Sequence, residues 1–129
     1  MDNFTGVYRE YYDDNKSLIK SEVFMCNGKK EGLYKSYWRD GQLESEVNYI
    51  NGKMNGLYKE FYYNGELHKV NYINDKKEGL CKSFHYDGQL KEEINYVNDN
   101  KDGLYKSFNE NGQLCCEENY INDKKRKTL

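Results

Sequence analysis

The chain has 129 residues, with 20 Lys+Arg against 22 Asp+Glu and a formal net charge of −2. That length fits one domain, and the near-neutral balance argues against a nucleic-acid binder working through bulk positive charge. No apolar run approaches the ~18 residues of a membrane helix, and the polar start Met1-Asp2-Asn3-Phe4-Thr5 is unlike a secretory signal, so a cytoplasmic location is expected. Charged residues make up 33% of the chain and mean hydropathy is −1.15, values that would suit disorder. Disorder, however, couples high net charge to few aromatics. Here 16% of residues are aromatic, 14 of them Tyr, and Pro is absent, which reads as a strand-rich chain.

A short motif tiles the sequence. Gly6-Val7-Tyr8-Arg9-Glu10-Tyr11 opens it as a divergent copy, followed by Gly32-Leu33-Tyr34-Lys35-Ser36-Tyr37. Further copies start at Gly56, Gly79 and Gly103, so the four later copies stand 24, 23 and 24 residues apart. The five units make one repeat domain over 1–129, closed by a basic tail at 124–129 that includes Lys124-Lys125-Arg126-Lys127. Within each unit an Asp-Gly or Asn-Gly pair (Asp40-Gly41, Asn64-Gly65, Asp87-Gly88, Asn111-Gly112) signals a two-residue type I′ hairpin. A looser turn beginning at Asn27, Asn51, Asn74 or Asn98 leads to the next unit. The segments between are too short for ordinary helices. The result is about ten antiparallel strands in sequential order, an all-β single twisted sheet of successive hairpins roughly 48 Å across at ~4.8 Å per strand.

Charges support this register. A two-residue loop at Asp40-Gly41 sets Lys35 opposite Glu46, and the same rule sets Lys82 opposite Glu93 and Lys106 opposite Glu117. The unit from Gly56 is one residue shorter. There the rule places Glu60 opposite Lys69, and the missing residue implies a β-bulge between Leu43 and Val47, and at the matching places in the longer units.

One face then carries Tyr34, Ser36, Trp38, Leu43, Ser45 and Val47, and is the more apolar. The other carries Leu33, Lys35, Tyr37, Glu44 and Glu46. Three columns run across the first face: Tyr8, Tyr34, Tyr58, Cys81 and Tyr105; Tyr12, Trp38, Tyr62, His85 and Asn109; and Ile19, Leu43, Leu67, Leu90 and Leu114. They serve either as plain core or as an aromatic groove that grips a partner. Because the second column loses its aromatics toward the C-terminus, a docking site belongs in the N-terminal half. Its residues are Tyr12, Tyr34, Trp38, Tyr58 and Tyr62. The charge at Glu118, where other units carry Val or Ile, reads as an end cap.

No catalytic or metal site is expected, and no cofactor. Cys26, Cys81, Cys115 and Cys116 form no C-x-x-C pair and read as reduced structural thiols. His68 and His85 show no triad-like arrangement in the sequence, and His85 reads as a packed histidine. Lys29, Lys30, Lys76 and Lys77 recur beside the looser turns and form a candidate basic rim for lipid headgroups or acidic surfaces, weakened by Glu31, Asp75 and Glu78.

The unit G-L-Y-K-x-[YF]-x-x-[DN]-G-[QE]-L followed by E-x-N-Y-I-N resembles the MORN repeat, in the variant seen in bacterial antitoxin-like proteins and large DNA viruses. Gly32, Tyr34, Tyr37, Gly41, Leu43, Glu46 and Tyr49 and their equivalents carry the resemblance over residues 6–123. The resemblance implies a single sheet of hairpins without enzymatic activity, serving as a protein–protein interaction scaffold. A protein partner is therefore expected, homodimerisation being one form of it, and no nucleic acid. The alternatives are antitoxin-like neutralisation of a toxic partner and peripheral contact with anionic phospholipid, the membrane reading being the weaker.

Overall fold

A computed structural model describes residues 3–126. Its strands are β1 (Gly6–Tyr11), β2 (Ile19–Cys26), β3 (Lys29–Tyr37), β4 (Leu43–Ile50), β5 (Lys53–Met54), β6 (Gly56–Phe61) and β7 (Leu67–Ile73), followed by β8 (Lys76–Lys77), β9 (Gly79–Phe84), β10 (Leu90–Val97), β11 (Asn100–Lys101), β12 (Gly103–Phe108), β13 (Leu114–Ile121) and β14 (Lys124–Arg126). All fourteen belong to one antiparallel sheet whose spatial order is the chain order, with no helix among the described residues. The count exceeds ten because three strands are interrupted near their starts and because a further strand, β14, pairs with β13 at the C-terminal end. β5, β8 and β11 are two-residue pieces separated from β6, β9 and β12 at Asn55, Glu78 and Asp102, whose amides still reach the carbonyls of Asn48, Asn71 and Asn95 at 2.8–2.9 Å.

Both turns differ from the expectation in type. At Asp40-Gly41 the Gly41 amide donates to the Trp38 carbonyl (2.9 Å) and the Trp38 amide to that of Gln42 (2.8 Å), which leaves three residues in the loop. Only Gly41 has positive φ, at 89°; Asp40 stays in the ordinary region and its carboxylate accepts from the Gln42 amide at 2.9 Å. This is a tight turn closed by a glycine in the left-handed region. The two-residue type I′ turns sit instead at the junctions between units. Asn51 and Gly52 have φ of 52° and 84°, and Asn98 and Asp99 have 51° and 75°. Val97 pairs directly with Asn100 across that turn.

The charge register nevertheless holds, for a compensating reason. In the three longer units a bulge follows the three-residue loop, with Glu44, Lys91 and Cys115 as the extra residues, and it restores the offset that a two-residue loop would give. Lys35 lies opposite Glu46, Lys82 opposite Glu93 and Lys106 opposite Glu117. In the short unit the residue lost is the bulge itself. Its register therefore shifts, and Lys59 faces Lys69 while Glu60 faces His68; Glu60 does not face Lys69. The bulge also moves two predicted positions. Leu43 pairs with Tyr37, so the Leu column joins the second face, while Glu44 turns to the first, where its carboxylate accepts from Ser36 Oγ at 3.1 Å.

The buried residues line the first face: Val23, Met25, Val47, Val70, Cys81 and Ile94, with Ser21, Ser36, Ser45 and His85. A single layer buries Val47 and Val70 to 2% and 1% exposure because larger neighbours on the same face cover them. Tyr34 meets Tyr49 edge-on at 6.0 Å between centroids, and Tyr58 meets Tyr72 at 5.9 Å. The second face keeps a stripe of half-exposed aliphatics, Leu33, Leu57, Leu80 and Leu104.

At the C-terminal end, Lys124–Arg126 form β14 against β13 and do not trail as a free tail; Lys127 to Leu129 lie outside the described residues. Glu118 takes an ion pair from Lys125 at 2.8 Å.

Candidate docking groove

Two rows of cross-strand neighbours organise the sheet. On the second face charges run Arg9, Glu22, Lys35, Glu46, Lys59, Lys69, Lys82, Glu93, Lys106, Glu117, each the Cα partner of the next. The order alternates in sign except at Lys59-Lys69-Lys82, the position of the missing bulge. On the first face the adjacent row is Glu10, Ser21, Ser36, Ser45, Glu60, His68, Ser83, Glu92, Ser107, Cys116. It forms the polar floor of a groove whose wall is the tyrosines.

A depression of about 450 Å³ lies in the N-terminal half and is lined by Tyr34, Trp38, Tyr58 and Tyr62 together with Tyr49 and Met54. Tyr62 is 44% exposed, and Trp38 stacks on Tyr63 with centroids 4.1 Å apart. Three carboxylates enter it, Glu10, Glu44 and Glu60, with one cation, Lys20. Hydroxyls hold these carboxylates: Ser21 Oγ donates to Glu10 (3.3 Å), Ser36 Oγ to Glu44, and the Tyr58 phenol to Glu60 at 2.5 Å. Burial, reinforced by that bond, pushes the Tyr58 phenol far above its usual range. Tyr105 is pushed up to about 12, chiefly by donating to Glu92 at 2.7 Å and then by burial.

Tyr12 is engaged elsewhere. Its phenol donates to the Tyr37 carbonyl at 2.7 Å and its ring lies beneath the Arg39 guanidinium at 4.7 Å. His85, in the same column, makes the matching tie with Nε2 2.9 Å from the Phe108 carbonyl. This column therefore ties neighbouring units together at two of its positions.

The paired lysines are split by strand alternation. Lys30 and Lys77 turn to the first face: Lys30 Nζ lies 4.8 Å from the Tyr34 ring centre and 5.0 Å from that of Tyr49, and Lys77 Nζ 4.9 Å from that of Tyr96. Lys29 and Lys76 are exposed.

The fold also assembles a cluster that the linear sequence hides. His68 Nδ1 lies 2.9 Å from Ser83 Oγ and Nε2 lies 3.5 Å from Cys81 Sγ, across β7 and β9. Burial lowers the His68 pKa and raises that of the Cys81 thiol, so both are held neutral. A nucleophilic cysteine needs the opposite, a thiolate beside imidazolium. The contact arises from strand pairing between residues 13 apart, and no spacing rule would have found it. The four cysteines are all free.

A search of curated proteins finds no match to this sequence. The MORN repeat variant family matches residues 30–51, 54–74, 77–98 and 101–122. The first hairpin lies outside these spans yet repeats their register, with Tyr8 opposite Val23 as Tyr34 is opposite Val47. With four consecutive matches over a sheet built only of hairpins, the chain belongs to the MORN repeat family, in its variant form.

Proposed function

We propose that this chain is a non-catalytic docking scaffold that takes a partner protein in the N-terminal depression of its groove. The observation that carries this reading is the convergence of Tyr34, Trp38, Tyr58 and Tyr62 on one open depression; the C-terminal depression has Tyr96, Tyr105 and Tyr120 beside His68 and Cys81, but the places of Trp38 and Tyr62 are taken there by His85 and Asn109. Large rigid aromatics in a concave site are the side chains that concentrate binding energy at protein interfaces. The commitment of Lys30 and Lys77 to their own tyrosines favours a protein partner over a lipid surface reached through a lysine rim.

The test is the double variant Trp38→Ala/Tyr62→Ala. A partner captured by the wild-type chain and then purified should bind the variant at least about tenfold more weakly, equivalent to about 1.4 kcal/mol. The melting temperature should fall by only a few degrees. Wild-type affinity in a folded variant would refute the groove. A variant that fails to fold would assign these rings to the core.

A further inference from the structure

We infer that the unit from Gly56 holds a receptor for an alkylammonium group, and that its occupant is a lysine side chain on the partner protein. This rests on the docking reading above and names the chemistry of that partner. The repeat supplies its own template. In the unit from Gly32, the edge-on pair Tyr34–Tyr49 holds Lys30 Nζ at 4.8 and 5.0 Å from its two ring centres. The lysine stands two residues before the unit's glycine. Lys77 and Lys101 occupy that slot in the units from Gly79 and Gly103, and their Nζ atoms lie 4.9 Å and 5.1 Å from the ring centres of Tyr96 and Tyr120. Three units thus place an ammonium over a groove tyrosine, an interaction favoured by the negative face of the ring.

The unit from Gly56 departs from this pattern in two ways. Its tyrosines keep the geometry: Tyr58 and Tyr72 meet at 5.9 Å and 76°, against 6.0 Å and 72° for Tyr34 and Tyr49. The lysine slot, however, holds Met54. The position that is serine at Ser36, Ser83 and Ser107 is Glu60. Relative to its neighbours the unit has lost one positive charge and gained one negative charge beside an unchanged aromatic pair. Glu60 is held by the Tyr58 phenol, and among the described residues no lysine or arginine forms an ion pair with it. Met54, Tyr58 and Glu60 all line the same open depression. The charge complement of this site is a cation from outside, seated over Tyr58–Tyr72 with Glu60 as counter-ion. A lysine presented by a docked chain fits because the groove beside the site continues onto Tyr62 and Trp38, which take apolar neighbours of that lysine.

The probe is the peptide Ac-Gly-Lys-Gly-Lys-Gly-NH2, titrated into tyrosine-labelled protein at about 20 mM salt, where screening extends over roughly 20 Å. Its Nε-acetylated twin and spermidine are titrated in parallel, and the tyrosine ring signals are followed by NMR. The peptide is expected to shift Tyr58 and Tyr72, and the acetylated twin to bind at least about tenfold more weakly. Met54→Lys and Glu60→Ser are each expected to weaken the peptide by a similar factor. Both variants install residues that other units already carry at those slots, so the fold is preserved. Equal binding to Met54→Lys, equal binding of the acetylated twin, or shifts confined to Tyr34 and Tyr49 would overturn the site. Spermidine binding more tightly than the peptide would overturn its assignment to a protein-borne lysine. A partner weakened by Trp38→Ala/Tyr62→Ala but not by Met54→Lys would remove the ammonium site and leave the docking groove standing.

Discussion

Lys69 is the point at which the charge row on the second face fails, and reversing it should stabilise the protein. It stands between Lys59 and Lys82 on adjacent strands. Directly opposed side chains of opposite sign contribute ~0.2–1 kcal/mol, and like charges cost a similar amount. Lys69→Glu exchanges two like-charged contacts for two opposite ones. At about 0.5 kcal/mol for each contact removed and each gained, the change is roughly 2 kcal/mol. Against this stands the Lys69 Nζ, 5.4 Å from the Phe84 ring centre, whose loss costs about 0.5 kcal/mol. The net gain of about 1.5 kcal/mol corresponds to a rise in melting temperature of roughly 4–7 °C for a chain of this size. Differential scanning calorimetry at low salt and in about 1 M salt is the assay, since screening to ~3 Å should erase most of the gain. Lys69→Gln, which removes the like-charged contacts and the Phe84 contact but adds no attraction, should give about a third of the effect. A neutral or destabilising Lys69→Glu at low salt, or a gain that survives high salt, would refute the charge-row argument.

Two further outcomes follow from the turns and from His68. The Asp99 carboxylate accepts from the Lys77 amide at 3.1 Å while its own amide donates to the Lys77 carbonyl at 2.9 Å, clasping one unit to the previous one. Asp99→Ala should cost about 1–2 kcal/mol, because it loses that bond and replaces an aspartate, which tolerates the left-handed φ of 75°, with a residue that favours it less. Asp99→Asn keeps both features and should be near neutral. Hydrogen exchange at the Lys77 amide checks the pair, and unchanged protection in Asp99→Ala would contradict the clasp. For His68, burial lowers the folded pKa below the ordinary 6.5. The folded state therefore refuses a proton that the unfolded chain accepts. Its contribution is complete above about pH 6.5 and declines as pH falls from there toward the folded value. Urea midpoints at pH 7.5 and 5.5 should differ less in His68→Gln than in the wild type; equal differences would count against it.

The hairpin order was legible in the sequence because every unit repeats it, and Lys82 opposite Glu93 could be read from charge alone. Turn type was not. A two-residue loop, and a three-residue loop followed by one bulged residue, produce the same pairing beyond the bulge, so the Lys–Glu pairs could not separate them. The dipeptide Asp-Gly suits both, and the type I′ geometry went to the junctions between units, of which Asn51-Gly52 carries the glycine signal while Asn74-Asp75 and Asn98-Asp99 do not. The same ambiguity misplaced the partner of Glu60, since the residue missing from that unit is the bulge and not part of the turn. The groove tyrosines stood out as a column. The lysines above them did not, because Lys29-Lys30 reads as one basic pair until strand alternation sends its members to opposite faces.

The clasps between successive turns carry a consequence for how the chain reaches its fold. Asp75, Asp99 and Asp123 bind the backbone of Met54, Lys77 and Lys101, partners only 21 or 22 residues away. Segments far apart along the chain need not meet, so the entropic cost of closing each new loop stays small. Assembly should run as a zipper that can start at any hairpin and spread in both directions. During synthesis each module would be secured as soon as the corner of its successor leaves the ribosome.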